Sequence, residues 1–158
     1  MDVQMMAALG KTGAALAMGL AAIGSALGTA SAALAAIGAW KRAYAQSRTA
    51  PFVMVAFVGA PLSQTIYGMI LMNAMISAAN AAAAPGGSGF VPWPAMLVGG
   101  IVGGIAMGAS AWLQGKAGAA GADALGETGQ GFGNYLMTLG VIETVALFVM
   151  VFLQGAVA

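Results

Sequence analysis

The sequence predicts an all-α membrane protein with four transmembrane helices in two helical hairpins. Hydrophobic residues make up 61% of the 158 residues and charged residues only 6%, whereas about 25% of a typical soluble domain is charged. Four apolar segments are each long enough for the roughly 20 residues with which an α-helix crosses a bilayer. They are Met6–Ala39, Pro51–Asn80, Trp93–Ala122 and Gly131–Val157.

The connecting segments predict how the helices are oriented. They contain Pro, Gly, Ser and charged residues, which mark the points where a chain leaves the hydrocarbon. Lys41, Arg42 and Arg48 lie in the first connection, and positively charged loops tend to stay in the cytoplasm. We therefore expect loops 41–49 and 123–130 to be cytoplasmic and both termini to lie outside. The first hairpin is then 1–80, the external linker 81–94 and the second hairpin 95–158.

The N-terminal stretch also admits a second interpretation, that of a cleaved signal peptide. Small residues at Ala30–Ala32 are typical of a cleavage site. However, the stretch has no clear basic region at its start, and its apolar part is much longer than the 7–15 residues of a signal sequence. A transmembrane helix is the preferred interpretation.

The two halves of the chain resemble each other. Gly24–Ala32 aligns with Gly104–Trp112 after a shift of 80 residues, and Ser63–Leu71 aligns with Ile142–Met150 after a shift of 79. In each half, the first helix is rich in Gly and Ala at four-residue spacing, which permits close helix contact, and the second helix is bulkier. Duplicated hairpins of this kind predict a ring of identical subunits, with the slender helices toward the axis.

Composition excludes several kinds of chemistry. The chain has no Cys and no His, so disulfides, thiolate nucleophiles and the usual zinc or haem ligands are excluded. Five Lys and Arg residues against four Asp and Glu residues form no basic patch, so nucleic acid is not an expected partner. Any chemistry must use carboxylate, amide and hydroxyl oxygens.

Three polar residues are predicted to lie at one depth in the membrane. Gln64 follows Pro51 by thirteen residues, Glu143 follows Gln130 by thirteen, and Gln114 precedes Glu127 by thirteen. At about 1.5 Å per helical residue, each lies roughly 20 Å from its cytoplasmic connection.

The helix that carries Gln64 has a polar face. Ser63, Gln64 and Tyr67 fall within an arc of about 100°. Pro61 has no N–H group, so it distorts the helix where this face begins and can free backbone carbonyls to act as ligands.

Glu143 is the only acidic residue well inside a predicted span. A charge at the bilayer centre costs roughly 2.5–3.5 kcal/mol on insertion scales, so a bound proton or a bound cation must neutralise it. Carboxylate, amide, hydroxyl and backbone oxygens suit a hard cation. The group Gln114, Gln64, Ser63 and Glu143 therefore favours a sodium site, with the Tyr67 hydroxyl donating to the carboxylate.

The stretches PLSQTIYG (Pro61–Gly68), LQGKAGAAG (Leu113–Gly121) and VIET (Val141–Thr144) resemble a known family. With the duplicated hairpin, they are similar to the sixteen-kilodalton proteolipid, the c or K subunit of V-type ATPases, particularly its bacterial sodium-translocating form. The resemblance covers essentially the whole chain. It implies a bacterial plasma-membrane rotor subunit that is not itself catalytic.

The resemblance also implies roles for individual residues. Glu143 would be the ion-binding acid, Gln114, Gln64 and Ser63 side-chain ligands, and the Ala60 carbonyl a backbone ligand. Tyr67 would support Glu143, and Pro61 would distort the helix. Ser63 stands where the family usually has Thr, so the hydroxyl is kept and the stiffening methyl group is lost.

The implied partners are identical subunits in a ring, a stator subunit with an intramembrane arginine, central stalk subunits and lipid. The cargo would be Na+. Two alternatives stay open: the same rotor carrying H+ on Glu143, and a dimeric four-helix carrier or scaffold in which Glu143 binds a cationic substrate.

Overall fold

The computed structural model describes residues 1–157, which form four long helices and contain no strand. They are α1 (Val3–Ala45), α2 (Phe52–Ala83), α3 (Trp93–Thr128) and α4 (Phe132–Val157). Each is long and apolar enough to cross a membrane. The predicted all-α class with four apolar helices is confirmed.

Helix α2 is the only one of the four that changes its helical type along its length within the described residues. It starts as a 3-10 turn at Phe52–Met54 and becomes α-helical over Val55–Gly59. A second 3-10 turn follows at Ala60–Leu62, and the α-helix resumes over Ser63–Ala83. Pro61 sits in that second turn, where its missing N–H and its ring disfavour regular α-helix. The irregular backbone thus directly precedes Ser63.

The predicted loops 41–49 and 123–130 are wrong in extent, because most of their residues are helical. Helix α1 continues to Ala45 and α3 to Thr128, so the charged residues lie on the ends of these helices. The two ends keep packing against each other beyond the apolar segments: a Cβ atom on Gly126 would lie 2.7 Å from Ala39 Cβ, and Arg42 forms an ion pair with Asp123. Helical hydrogen bonding satisfies the backbone there as well as a loop would. The connection between the hairpins runs from residue 84 to 92.

Helices α1 and α3 pack together through their backbones. A Cβ atom on Gly24 would collide with the backbone of Gly108, and one on Gly115 would collide with the backbone of Gly28. Near the other end of the pair, Gly100 meets the backbone of Gly13 in the same way. Small residues permit this approach, and it makes α1 and α3 the central pair of the molecule.

Helices α2 and α4 lie outside this pair and bury one narrow face each. The buried residues of α2 recur every three or four positions, at Met54, Phe57, Pro61, Gln64, Gly68, Leu71, Met75 and Ala79. Two apolar clusters fill the interior: one contains Leu71, Met107 and Ala146, and the other contains Phe57, Leu125 and Leu139. Gln64 and Gln114 are buried along the same helices between these clusters.

Candidate ion-binding site

Two fully buried glutamines link α2 to α3 at the centre of the molecule. The side chains of Gln64 and Gln114 are both 0% exposed. Gln64 Nε2 donates a 2.8 Å hydrogen bond to Gln114 Oε1. A buried amide without a partner costs about 1–3 kcal/mol, so this bond satisfies groups that would otherwise oppose folding.

Glu143 on α4 is held by donors from two other helices. The Tyr67 hydroxyl donates to Oε1 at 2.6 Å, and Gln114 Nε2 donates to Oε2 at 3.3 Å. Each carboxylate oxygen thus has one donor, and the side chain is partly buried. Hydrogen bonds to a charged acceptor are stronger than neutral ones. These two bonds place the carboxylate against the glutamine pair.

Ser63 joins the site to the irregular backbone of α2. Its hydroxyl lies 3.0 Å from the Ala60 carbonyl oxygen and 3.1 Å from Gln64 Oε1, directed toward both acceptors. Pro61 between them is buried. The residues selected from the sequence are therefore connected by short polar contacts, from the Ala60 carbonyl through Ser63, Gln64 and Gln114 to Glu143 and Tyr67.

Two supporting contacts were not anticipated from the sequence. Gln114 Nε2 also donates to the Leu139 carbonyl at 2.9 Å, and the Ser110 hydroxyl donates to the Ile142 carbonyl at 3.0 Å. Both carbonyls belong to α4, within about one turn of Glu143. The four-residue spacing between Ser110 and Gln114 places both on one face of α3 and could have indicated Ser110. No sequence signal marks the Leu139 carbonyl.

The site contains no basic side chain. Within residues 1–157, the ion pairs are those of Arg42 with Asp123 and with Glu127, at the ends of α1 and α3. Lys116 lies two residues after Gln114, but its Nζ stacks 4.2 Å from the centre of the exposed Trp112 ring. Within residues 1–157, the side chains that hydrogen-bond to the Glu143 carboxylate are therefore neutral.

The donor set is that of a hard cation. Glu143, Gln114, Gln64 and Ser63 supply side-chain oxygens, and Ala60 supplies a carbonyl oxygen. A carboxamide oxygen has two lone pairs, so Gln64 Oε1 and Gln114 Oε1 can each bind an ion in addition to the hydrogen bond that they accept. The described residues contain no group of three or more His, Cys, Asp or Glu side chains that could hold a metal ion. One carboxylate with several neutral oxygens suits a singly charged ion.

The second hairpin, which carries two of these residues, also matches a known family. Residues 97–153 match the family model of the ATP synthase C subunit. The match spans most of α3 and α4, including Gln114 and Glu143, and covers about a third of the chain. No curated protein sequence matches the chain.

This family match and the four apolar helices together support an integral membrane protein whose second hairpin is similar to a c-type proteolipid. The first hairpin lies outside the match and is related to the second by internal similarity. In the alignment at a shift of 79 residues, Gln64 stands at the position of Glu143. The first hairpin thus has a neutral amide where the second has an acid, and the two side chains meet through Gln114.

Proposed function

We propose that the chain is a rotor-ring subunit of a V-type rotary ATPase and that it carries Na+ across the membrane at Glu143. The observation that carries this proposal is the grouping of one intramembrane carboxylate with two buried glutamines, a hydroxyl and a carbonyl beside a proline break. An intramembrane acid is costly and usually functional. The match of the second hairpin to the ATP synthase C subunit supports a rotor rather than a carrier or scaffold.

Sodium is favoured over a proton because of what surrounds the acid. A proton on Glu143 would need a single acceptor, whereas the chain buries two carboxamides and aims Ser63 at the same place. These side chains already have hydrogen-bond partners in the chain, so sodium is not needed to satisfy them. It is favoured because several oxygen atoms lie beside one carboxylate, which a hard cation uses as ligands and a proton does not need.

The neutrality of the loaded site explains how transport is coupled to rotation. When Na+ is bound, the site carries no net charge and can face lipid. When it is empty, Glu143 is an intramembrane charge and needs a positive partner. A stator subunit with an intramembrane arginine would supply that partner, release the ion and let the site reload from the other side. Tyr67 and Gln114 hold the carboxylate in place throughout.

The rest of the proposal concerns assembly and orientation. Identical copies form the ring, through exposed apolar side chains such as Ile23, Ile66, Ile105 and Phe148. Lys41, Arg42 and Arg48 favour a cytoplasmic position for the ends of α1 and α3, where central stalk subunits would bind, and both termini lie outside. The chain itself makes and breaks no covalent bond. The membrane is proposed to be a bacterial plasma membrane.

Carbodiimide labelling of Glu143 in the purified assembly tests the ion. Labelling requires a protonated carboxyl group, so bound Na+ blocks it. We expect NaCl to protect Glu143 at a pH where labelling occurs, and KCl at equal ionic strength to protect it much less. Protection should require more Na+ as the pH falls, because both ions compete for one carboxylate. Labelling that depends on pH and not on Na+ would instead identify a proton rotor.

Native mass measurement of the same preparation tests the assembly. A closed ring of many copies is expected. Particles of two copies would contradict the rotor and support the carrier or scaffold.

A further inference from the structure

Two hydroxyl groups on α1 are buried without a hydrogen-bond partner. The oxygens of Ser25 and Thr29 are inaccessible and make no hydrogen bond to any residue of the described chain. Ser25 is only 2% exposed. Elsewhere on the same helix, Thr12 and Ser31 donate to the carbonyl four residues earlier. Ser25 and Thr29 are therefore exceptions to the usual behaviour of a hydroxyl in a helix.

An unpaired buried hydroxyl is expensive. Leaving a buried polar group without a partner costs about 1–3 kcal/mol, and two such groups one turn apart would add their costs. The usual solution is a buried water molecule that makes about three hydrogen bonds. Side chains four residues apart on a helix have Cβ atoms about 5–6 Å apart, a distance that one water molecule can bridge.

Packing of α1 on α2 places these hydroxyls at the level of the ion site. A Cβ atom on Gly68 would lie 3.0 Å from Ala21 Cβ, and a Cβ atom on Gly28 would lie 3.0 Å from Pro61 Cβ. The helices run antiparallel, so the α1 residues between Ala21 and Gly28 are level with the α2 residues between Gly68 and Pro61. Ser25 is thus level with Gln64.

The Gln64 carboxamide has an unused donor. Its Oε1 accepts from Ser63, and its Nε2 donates to Gln114 Oε1. An amide nitrogen carries two N–H groups, and only one is used within residues 1–157.

The ligand between Ser25, Thr29 and Gln64 is better described as water than as a second cation. Helices α1 and α2 contain no Asp or Glu. A cation bound only by neutral hydroxyl and amide groups would remain an uncompensated intramembrane charge. Water needs no charge compensation.

We propose that one water molecule is bound between α1 and α2 by the hydroxyls of Ser25 and Thr29. Its oxygen accepts a hydrogen bond from the second N–H group of Gln64. The water donates one hydrogen to each hydroxyl oxygen, which gives it three hydrogen bonds. It fixes the carboxamide of Gln64 relative to α1, so Ser25 and Thr29 are positioning residues for the ion site. The effect on sodium binding rests on the proposed function; the water site itself does not.

The double variant Ser25→Ala/Thr29→Val tests the water, because it removes both hydroxyls with little change of shape. We expect the ring to melt at a lower temperature and Na+ protection of Glu143 to need about five-fold more Na+, which corresponds to one hydrogen bond of about 1 kcal/mol. Ser31→Ala is the matched control, since Ser31 bonds its own helix, and it should change neither value. If no water is bound there, the opposite is expected. Removing the unsatisfied hydroxyls would then raise the melting temperature and leave the Na+ requirement unchanged. That result would overturn the proposal.

An electron-microscope map of the wild-type ring that resolves ordered water separates this proposal from the proposed function. Density between Ser25 and Thr29 is expected whichever ion the ring carries, and its absence would overturn the water site. If carbodiimide labelling of the wild-type ring responds only to pH, the sodium proposal is refuted and the water site is not. The variants are then compared by the pH at which half of Glu143 is labelled, instead of by the Na+ concentration that protects it.

Discussion

The Tyr67 hydroxyl donates a 2.6 Å hydrogen bond to Glu143 Oε1 and so joins α2 to α4 across the candidate site. The two residues are 76 positions apart in the chain. The bond satisfies one carboxylate oxygen without adding charge, so it holds Glu143 in place without supplying the positive partner that the acid needs.

Removing this bond should weaken ion binding and preserve the fold. Tyr67→Phe keeps the aromatic side chain and removes only its hydroxyl group. A hydrogen bond to a charged group contributes about 1.5–3 kcal/mol, so the Na+ concentration that half-protects Glu143 from carbodiimide should rise at least ten-fold. Tyr44→Phe is a control, because Tyr44 is exposed near the end of α1. An unchanged Na+ requirement in Tyr67→Phe would mean that the bond does not position the acid.

Replacing the acid itself should abolish transport. Glu143→Gln keeps the size of the side chain and removes its charge, so neither Na+ nor H+ can be carried on it. The expected outcome is loss of ion transport in the reconstituted ATPase and loss of carbodiimide labelling, with the ring still assembled. Glu127→Gln, at the exposed end of α3, is the control and should retain both ion transport and carbodiimide labelling. Undiminished transport by Glu143→Gln would contradict the proposed function.

Gln114 should matter for stability as well as for binding. In Gln114→Leu, the Gln64 amide loses its acceptor and the Leu139 carbonyl loses a donor that it has in addition to its helical hydrogen bond. A buried amide that is left unpaired costs about 1–3 kcal/mol. We expect the melting temperature of the ring to fall clearly. The same substitution at the exposed Gln154 on α4 is the control. Equal melting temperatures for both variants would argue against a buried amide network.

Because α1 lies so close to α3, Gly→Ala substitutions at two positions of α1 should have very different effects on the yield of assembled ring. Gly24→Ala places a Cβ atom against the backbone of Gly108, whereas Gly19→Ala meets nothing within 4 Å. Overpacking costs about 1–3 kcal/mol or more when the neighbour is backbone that cannot move aside. Gly24→Ala should therefore yield little assembled ring, while Gly19→Ala should yield normal amounts in membrane extracts. Similar yields would show that the two helices can separate without cost.

The sequence predicted much of the candidate site because depth in a membrane can be counted along a helix. Gln64, Gln114 and Glu143 were placed at one level from their distances to the helix ends, and the structure brings these three side chains into a continuous network. Their role as ion ligands remains a prediction. The sequence did not reveal the bonds from Ser110 and Gln114 to carbonyls of α4, because backbone acceptors have no residue type that marks them.

The helix ends were predicted less well, because hydropathy marks where a chain leaves the hydrocarbon and not where helical hydrogen bonding stops. Lys41 and Arg42 looked like loop residues, yet α1 continues through them to Ala45. The pairing of Arg42 with Asp123, 81 residues away, involves a long-range contact that no local pattern encodes.

By itself, the sequence determined that this is a four-helix membrane chain with one intramembrane acid, because composition and apolar segment length depend only on local residue types. Only the tertiary structure decided which groups surround that acid. The backbone contact of Gly24 with Gly108 sets how α1 lies on α3, and the positions of α2 and α4 on this pair bring Tyr67 and Gln114 to Glu143. Distances between helices depend on packing among residues far apart in the chain, and that information is not local.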